Sequence, residues 1–501
     1  MSGSHFAAQS RTFLDWFKAW QGTTFHDNIK IEDLRGRGAV ATADIPEDTV
    51  LFSIPRKAII SVESSNLSKR IPEVFEDSTT PLEDADNEAD EEGGETSVTS
   101  DSWVSLILVM MYEHLQGEKS PWKPYLDVLP STFDTPMFWS ENELSELQAS
   151  AIASKIGKDE AENMFRGKIL PVVQSHAGVF YPEGAARLCE DDLIELCHRM
   201  GSTIMAYAFD LENDEDRPDS ENEDSWVEDR EGKLMMGMVP MADILNADAE
   251  FNVGSAKRYV LLRTQGTCTD AQQAHVNHGD DTLTVTSLRP ITAGEEVLNY
   301  YGPLGNGELL RRYGYVTSKH ARYDVVEISW DLVVSVLKDT LKLDEASWGM
   351  VLNQFDPEEI EDTSVIDRDL DEPDSTGRVR GESKLTRLPK DLQEQLSAFL
   401  KATRKVSPAA VPDKQKRDQI ILTVIQRVCE LRTSQYPTGY AYDFDLLSQN
   451  RVAGRQKMAV VVRWGEKVLL KEVADLSKMK LEEMKLNADG GEPAEKKRKT
   501  V

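Results

Sequence analysis

Hydrophobic positions recur along the chain in two alternating rhythms. Phe13, Trp16, Phe17 and Trp20 follow the i, i+3, i+4, i+7 spacing of one helical face, which predicts an opening helix through about Gln21 with these rings in the core. From Ile29 to Ile60 the rhythm shortens to the β-like runs IKIEDL, GAVATADI and TVLFSIP, punctuated by Gly36, Gly38, Pro46 and Pro55. The helical period returns over 103–116, 141–155 and 190–209, with Pro121, Pro124, Pro130, Pro136 and Pro171 at the joints. Short strands are predicted again in LMMGMVPM, YVLLRT and TLTVTSL, ending at the turn over 292–296 and the segment VLNYYG. Helices follow over 331–343, 388–404, 413–433 and 467–485, with a strand-like MAVVVRW at 458–464.

Two β-rich stretches therefore flank a helical insertion, and a helical region follows. The expected class is α+β: an N-terminal helix (1–24), a β-rich domain (25–302) split by an insertion over about 112–232, an all-α domain (303–475) and a charged tail (476–501). The regular βαβ alternation of a doubly wound sheet is missing. Gly36-Arg37-Gly38 lacks the third glycine and the following helix of a dinucleotide fingerprint.

Charge sharpens this division. Among 501 residues, 57 Lys and Arg oppose 88 Asp and Glu, giving a formal charge of −31. Residues 83–95 carry −8, 210–231 carry −10 and 356–374 carry −9, so the rest of the chain is nearly neutral. Such runs bury too little apolar surface to offset chain entropy, and acidic, solvated, largely disordered loops are expected over 76–100, 210–231 and 356–374. They serve solubility, or they attract a basic partner electrostatically. Phosphate binding needs clustered Lys and Arg, so direct nucleic-acid binding is not expected.

The longest apolar run, WVSLILVMMY at 103–112, is half the roughly 20 residues that span a bilayer, and it predicts a buried helix and no membrane partner. No basic stretch followed by an apolar core opens the sequence, so no signal peptide is expected. Cys189, Cys197, Cys268 and Cys429 show no zinc-site spacing, and buried reduced thiols are the expectation. Lys496-Lys497-Arg498-Lys499 suits a nuclear import signal, so the nucleus is the expected location, with the cytoplasm as the alternative.

Three segments carry candidate chemistry together: RGRGAVAT at 35–42, MVPMADILNAD at 238–248 and GEEVLNYYGPLGNGELLRRYGYV at 294–316. In this order they resemble the SET-domain lysine methyltransferases, in the branch that contains Rubisco large-subunit methyltransferase and SET-domain-containing protein 6. PWKPYLDVLP, MFWSENEL and the helical C-terminal region extend the resemblance over most of 25–475, and Asn-Ala-Asp after MADIL is most like the fungal ribosomal lysine methyltransferase 4 group.

The resemblance implies a β-rich SET domain with a helical insertion and an all-α substrate-binding domain, with S-adenosyl-L-methionine as cofactor. It implies that Gly36, Arg37 and Gly38 meet the methionine end of the cofactor through backbone, and that Asn246 holds its adenine-ribose part. Ala247 stands where relatives carry histidine, which removes a side-chain contact and keeps a backbone one. Tyr301 takes the catalytic position, and Tyr313 and Tyr207 border the cofactor and lysine channel. Trp103, Asp243 and Tyr315 lie on the substrate side, and the substrate is a basic protein, ribosomal or histone-like.

Elementary chemistry agrees with this set. Methyl transfer from a sulfonium needs a neutral amine, while free lysine has a pKa of about 10.4. Aromatic walls desolvate the ammonium and lower that value, and no metal is required. Read singly, these residues have plainer roles: Asn246 caps a turn, Asp243 caps a helix, and Tyr207, Tyr301, Tyr313, Tyr315 and Trp103 are core aromatics. A catalytically silent scaffold and methylation of another acceptor such as histidine are the rival readings.

Overall fold

The computed structural model describes residues 3–34, 36–75, 102–211, 236–254, 282–354, 361–370 and 373–489. The chain divides into two compact units, each assembled from separate stretches. The first contains residues 1–133, 157–303 and 372–380; the second contains 134–156, 304–371 and 381–501.

In the first unit the opening helix, Gly3–Ala19, buries Phe13 and Phe17 completely, as their spacing predicts. A four-stranded antiparallel sheet has the order Thr24–Phe25, Val50–Pro55, Thr282–Ser287, Val253–Gly254. Val50–Pro55 and Thr282–Ser287 meet in a register that pairs Phe52 with Val285 and Ile54 with Leu283, all nearly solvent-free. Ile29–Asp33 and Arg37–Ala41 form a second antiparallel ribbon, and Ala208–Asp210 with Met236–Met238 a third.

The insertion supplies the helices Ser102–Gln116 and Glu190–Tyr207, packed on one another. Ser102–Gln116 is buried continuously from Val104 to Glu113, as an all-round apolar helix must be. Its single buried acid, Glu113, accepts hydrogen bonds from Ser65 and Ser120, both at 2.7 Å, and burial raises its pKa.

Among its described residues the second unit is mostly helical and carries the two-stranded ribbon Val326–Ser329/Thr363–Ile366. Helices Trp330–Leu341, Lys390–Val406, Lys414–Ser434 and Gly454–Asp489 enclose a core that includes Val333, Phe399, Ile425, Val428, Leu469 and Val473. The 134–156 stretch, sequentially part of the insertion, is built into this unit. Arg463 bonds the carbonyl of Glu146 and its carboxylate, and Ser150 donates to Glu466 at 2.7 Å.

Three expectations are corrected. MAVVVRW is helical, within Gly454–Asp489, despite its β-branched run. Ala459, Val460, Val462, Arg463, Glu466, Lys467, Leu469 and Leu470 are all buried at helical spacing, and tertiary packing overrides the weak preference of valine for strands. The third acidic segment is not a free loop throughout. Thr363–Ile366 is a strand with Ile366 fully buried, Arg368 pairs with Glu472 at 3.0 Å, and Asp369 with Arg387. Acids there lie beside specific cations, a pairing that composition does not reveal. Cys189 is exposed, with its thiol 3.1 Å from Asp192, because it precedes the first turn of Glu190–Tyr207; Cys197 and Cys429 are buried as expected. The acidic runs at 83–95 and 212–231, YVLLRT, Cys268, Arg35 and the basic 496–499 run lie outside the described residues.

Among the described residues no helix is long and apolar enough to cross a membrane, and no three His, Cys, Asp or Glu side chains are grouped to hold a metal ion.

Candidate active site

The first unit brings the segments around 36–41, 243–253 and 294–301 together through backbone. The turn between Ile29–Asp33 and Arg37–Ala41 is closed by the Asp33–Arg37 pair, with Gly38 opposite Glu32. Gly36 has φ +130°, a conformation L side chains rarely adopt, and the space where a Cβ would stand is open. Ala39 accepts the Val297 amide at 2.8 Å, and the Ala41 amide donates to Glu295 at 2.9 Å, joining the turn strand to 294–301. The Asn299 amide donates to the Asn246 carbonyl at 2.8 Å, and Ala247 forms a parallel bridge with Asn299.

Side chains complete this junction. Asn246 donates its amide to Glu296 Oε1 at 2.7 Å. A Cβ on Gly38 would come within 2.9 Å of Asn246 Nδ2 and 2.8 Å of Leu34, so glycine is required at 38 for close approach. The Tyr301 hydroxyl donates to the Leu245 carbonyl at 2.9 Å from a side chain only 4% exposed. Ala247 is buried, and its backbone forms the bridge to Asn299.

Arg37 leaves the turn sideways. Its Nη1 donates to the Val128 carbonyl at 2.7 Å, its Nη2 to Gln9 at 3.3 Å, and its guanidinium lies over the Phe6 ring at 4.9 Å. Burial lowers its pKa, while Asp33 and Asp243 act in the opposite sense. Arg37 Nε and Asn299 Nδ2 are buried donors with no hydrogen-bond partner among the described residues. Asp243 is 6% exposed and accepts from the Tyr125 hydroxyl at 2.6 Å.

Trp103 and Tyr207 lie at the same end of the helix pair in this unit, since the helices run antiparallel with Cys197 against Met111 and Gly201 against Ile107 and Trp103. Trp103 sits at the start of Ser102–Gln116 beside Gly201, and Tyr207 closes Glu190–Tyr207 within electrostatic reach of Tyr125. Tyr313 and Tyr315 belong to the second unit. They flank Gly314, the left-handed cap of helix Asn306–Tyr313, with ring centroids 6.2 Å apart. A Cβ on Gly314 would meet the Asp134–Thr135 backbone at 2.9 Å, which fixes where the two tyrosines leave the helix.

Sequence reasoning missed Tyr125, Glu296 and Asn299. Tyr125 lies within PWKPYLDVLP and Glu296 within GEEVLNYYG, so both motifs were in view. Only three-dimensional pairing, with Asp243 and Asn246, distinguishes these residues from a core tyrosine and a surface acid.

The SET domain family matches residues 36–302, and the Rubisco LSMT substrate-binding family matches 374–470. Ribosomal lysine N-methyltransferase 4 of Saccharomyces cerevisiae is 31% identical over 347 residues, covering 67% of this chain and 61% of that protein. N-lysine methyltransferase setd6 of Danio rerio is 30% identical over 283 residues, 56% of this chain and 50% of that one. Both matches thus span less than two thirds of the relative's length. SETD6 of Mus musculus is 24% identical over 462 residues, covering 88% of this chain and 84% of its own. In fold, the chain resembles the crystal structure of the SET domain of LSMT bound to lysine and AdoHcy, with a TM-score of 0.59, 18% identity, and 95% and 92% of the two chains covered. A SET domain match that runs through more than half of the sequence, on a fold shared with LSMT, places this chain in the SET-domain family.

Proposed function

We propose that this chain is an S-adenosylmethionine-dependent protein-lysine N-methyltransferase. The observation that carries this reading is the backbone junction of the Gly36–Gly38 turn, Asn246–Ala247 and Asn299–Tyr301 in one compact unit. The junction fits a ligand with amino-acid and nucleoside ends. It offers bare backbone at Gly36 and two buried donors without acceptors among the described residues, Arg37 Nε and Asn299 Nδ2.

Gly36, Arg37 and Gly38 would hold the methionine end, and Asn246 and Ala247 the adenine-ribose part. When bound, the cofactor supplies an electrophilic methyl group on a sulfonium. The chain's task is then to exclude water, orient the substrate amine and favour its neutral form. A low-polarity aromatic lining penalises the ammonium and lowers its pKa, and ring faces accept the residual cationic character. Orientation of the two reacting centres supplies several kcal/mol of the barrier. Tyr301 is held by the Leu245 carbonyl, so its ring and oxygen are fixed before substrate arrives.

The substrate we propose is a lysine on a basic protein, first a large-subunit ribosomal protein. The name of the yeast relative supports this choice, and the acidic segments suit such a partner. The run KKRK supports a nuclear location. Incubating the purified chain with methyl-labelled cofactor and ribosomal or histone fractions tests the reading. Label on lysine, located by mass spectrometry, is expected. Absence of transfer from all fractions, with cofactor bound, would refute it, and label on histidine would reassign the acceptor.

A further inference from the structure

The side chain of Asn246 is held through one of its two polar atoms. Its Nδ2 donates to Glu296 Oε1 at 2.7 Å, while its Oδ1 accepts from no group among the described residues. A carboxylate accepts and does not donate, so the amide nitrogen must face Glu296 and the amide oxygen must turn away from it. Both partners are fixed by their own backbone. The Asn246 carbonyl accepts the Asn299 amide at 2.8 Å. The Glu296 carbonyl accepts Asn252 Nδ2 at 2.7 Å, and Asn252 is fully buried. The same asparagine accepts the Leu298 amide at 2.7 Å, so it brackets the segment on both sides of Val297. On the turn side, Val40 and Glu296 form an antiparallel bridge, and a Cβ at Gly38 would stand 2.9 Å from Asn246 Nδ2 and 3.2 Å from Glu296 Oε1.

The last torsion of an asparagine side chain is broad and nearly two-fold, so an unheld amide exchanges oxygen for nitrogen with little change of shape. S-adenosylmethionine carries hydrogen-bond donors on its ammonium, its ribose and its adenine amine, and each of them needs an acceptor. We propose that Glu296 is a positioning residue of the cofactor site: by accepting the Asn246 amide nitrogen, it fixes Asn246 Oδ1 as an acceptor for a donor group of the cofactor. This rests on the methyltransferase reading above and deepens it.

The test uses the full chain. Glu296→Leu keeps bulk and removes the acceptor. Its KM for S-adenosylmethionine is expected to rise about tenfold, the scale of one hydrogen bond, with kcat within about twofold. Asn246→Asp sets two carboxylates against each other and should weaken S-adenosylhomocysteine, measured by calorimetry, by more than about tenfold. Adding Glu296→Gln to it reverses the bond: the new amide donates, and the second oxygen of the new carboxylate still faces the ligand. Affinity is expected to return to within about threefold of the unaltered chain. In an Asn246→Ala background, Glu296→Leu should change affinity by less than about twofold while still lowering the melting temperature. Unchanged KM in Glu296→Leu, a loss confined to kcat, an equal loss in the Asn246→Ala background, or no recovery in the reversed pair would each overturn the proposal. Should Glu296→Leu fail to fold, the reversed pair against Asn246→Asp alone decides. If the unaltered chain binds no S-adenosylhomocysteine, the methyltransferase reading falls and this inference with it; if it binds, only the inference is at stake.

Discussion

Asn246 and Glu296 share a 2.7 Å hydrogen bond across the place a side chain at position 38 would need. The requirement for glycine thus comes from Leu34, four positions earlier, and from two residues more than 200 positions away, and the turn, the asparagine and the acid form one interlocked unit. Gly38→Ala forces a Cβ to within 2.8–3.2 Å of Leu34, Asn246 and Glu296. A loss of about 1–3 kcal/mol is expected from overpacking of this kind. Thermal unfolding will read the stability, and calorimetry with S-adenosylhomocysteine should show weakened binding, since Asn246 must move. Wild-type affinity in the alanine variant would detach this pair from the cofactor site.

Tyr301→Phe separates chemistry from structure. The variant leaves the Leu245 carbonyl without its 2.9 Å donor in a buried position, at a cost of about 1–3 kcal/mol. Turnover should fall strongly, by more than tenfold, while the dissociation constant for the cofactor changes little. Stopped-flow or steady-state kinetics at saturating cofactor decide this, and an unchanged kcat would remove Tyr301 from the catalytic role. Tyr313→Phe run alongside shows whether the second tyrosine bears the larger share.

Asp324 gives the second unit a pH signature. Its Oδ1 accepts the Asn306 amide at 2.8 Å at the start of helix Asn306–Tyr313, and burial raises its pKa to about 7. A carboxyl raised in the folded state binds its proton more tightly than the unfolded chain does. Its contribution is therefore fully present below the ordinary value near 4 and is lost as pH climbs through about 7. Denaturant titrations between pH 4 and 7.5 should show stability falling by a few kcal/mol on this account, about 1.4 per pKa unit. Asp324→Asn keeps an acceptor for Asn306 and should flatten the slope; an identical slope in the variant would assign the effect elsewhere.

Arg463, Lys467 and Asp443 form a buried set of two cations and one anion, each no more than 1% exposed. Asp443 receives Arg463 at 3.0 Å and Lys467 at 2.5 Å, while Glu146 meets Arg463 at 2.8 Å. Asp443→Ala leaves Lys467 buried without its carboxylate, so a loss of about 3–5 kcal/mol is expected. Chemical unfolding monitored by tryptophan fluorescence should register it, and a change under 1 kcal/mol would mean that water or rotamer shifts take over the role.

These buried ions also mark the limit of what the sequence revealed. Periodicity located the opening helix, the 103–116 helix and the strands around 29–55 because burial on one face enforces a regular spacing. It failed at 458–464, where three consecutive valines read as a strand although Arg463, Glu466 and Lys467 continue the same buried helical face. Charged residues there look like solvent positions until their partners 20 to more than 300 residues away are known. The site divided similarly. Gly38, Asn246 and Tyr301 stood out by motif, whereas Tyr125 and Glu296 became visible only through Asp243 and Asn246.

The first unit is closed by residues 372–380, which arrive some 70 positions after its main body ends at 303. The Phe251 amide donates to the Gly377 carbonyl at 3.0 Å, and a Cβ on Gly377 would stand 2.3 Å from the Phe251 carbonyl oxygen. A ribosome delivers the chain from its N-terminus, so the unit bearing the Gly36–Gly38 turn cannot be finished when residue 303 emerges. It must wait, with this backbone partner missing, until part of the second unit has been synthesised. The order of translation thus ties completion of the cofactor-side unit to production of its neighbour, and a fragment ending near 303 would lack its own last piece.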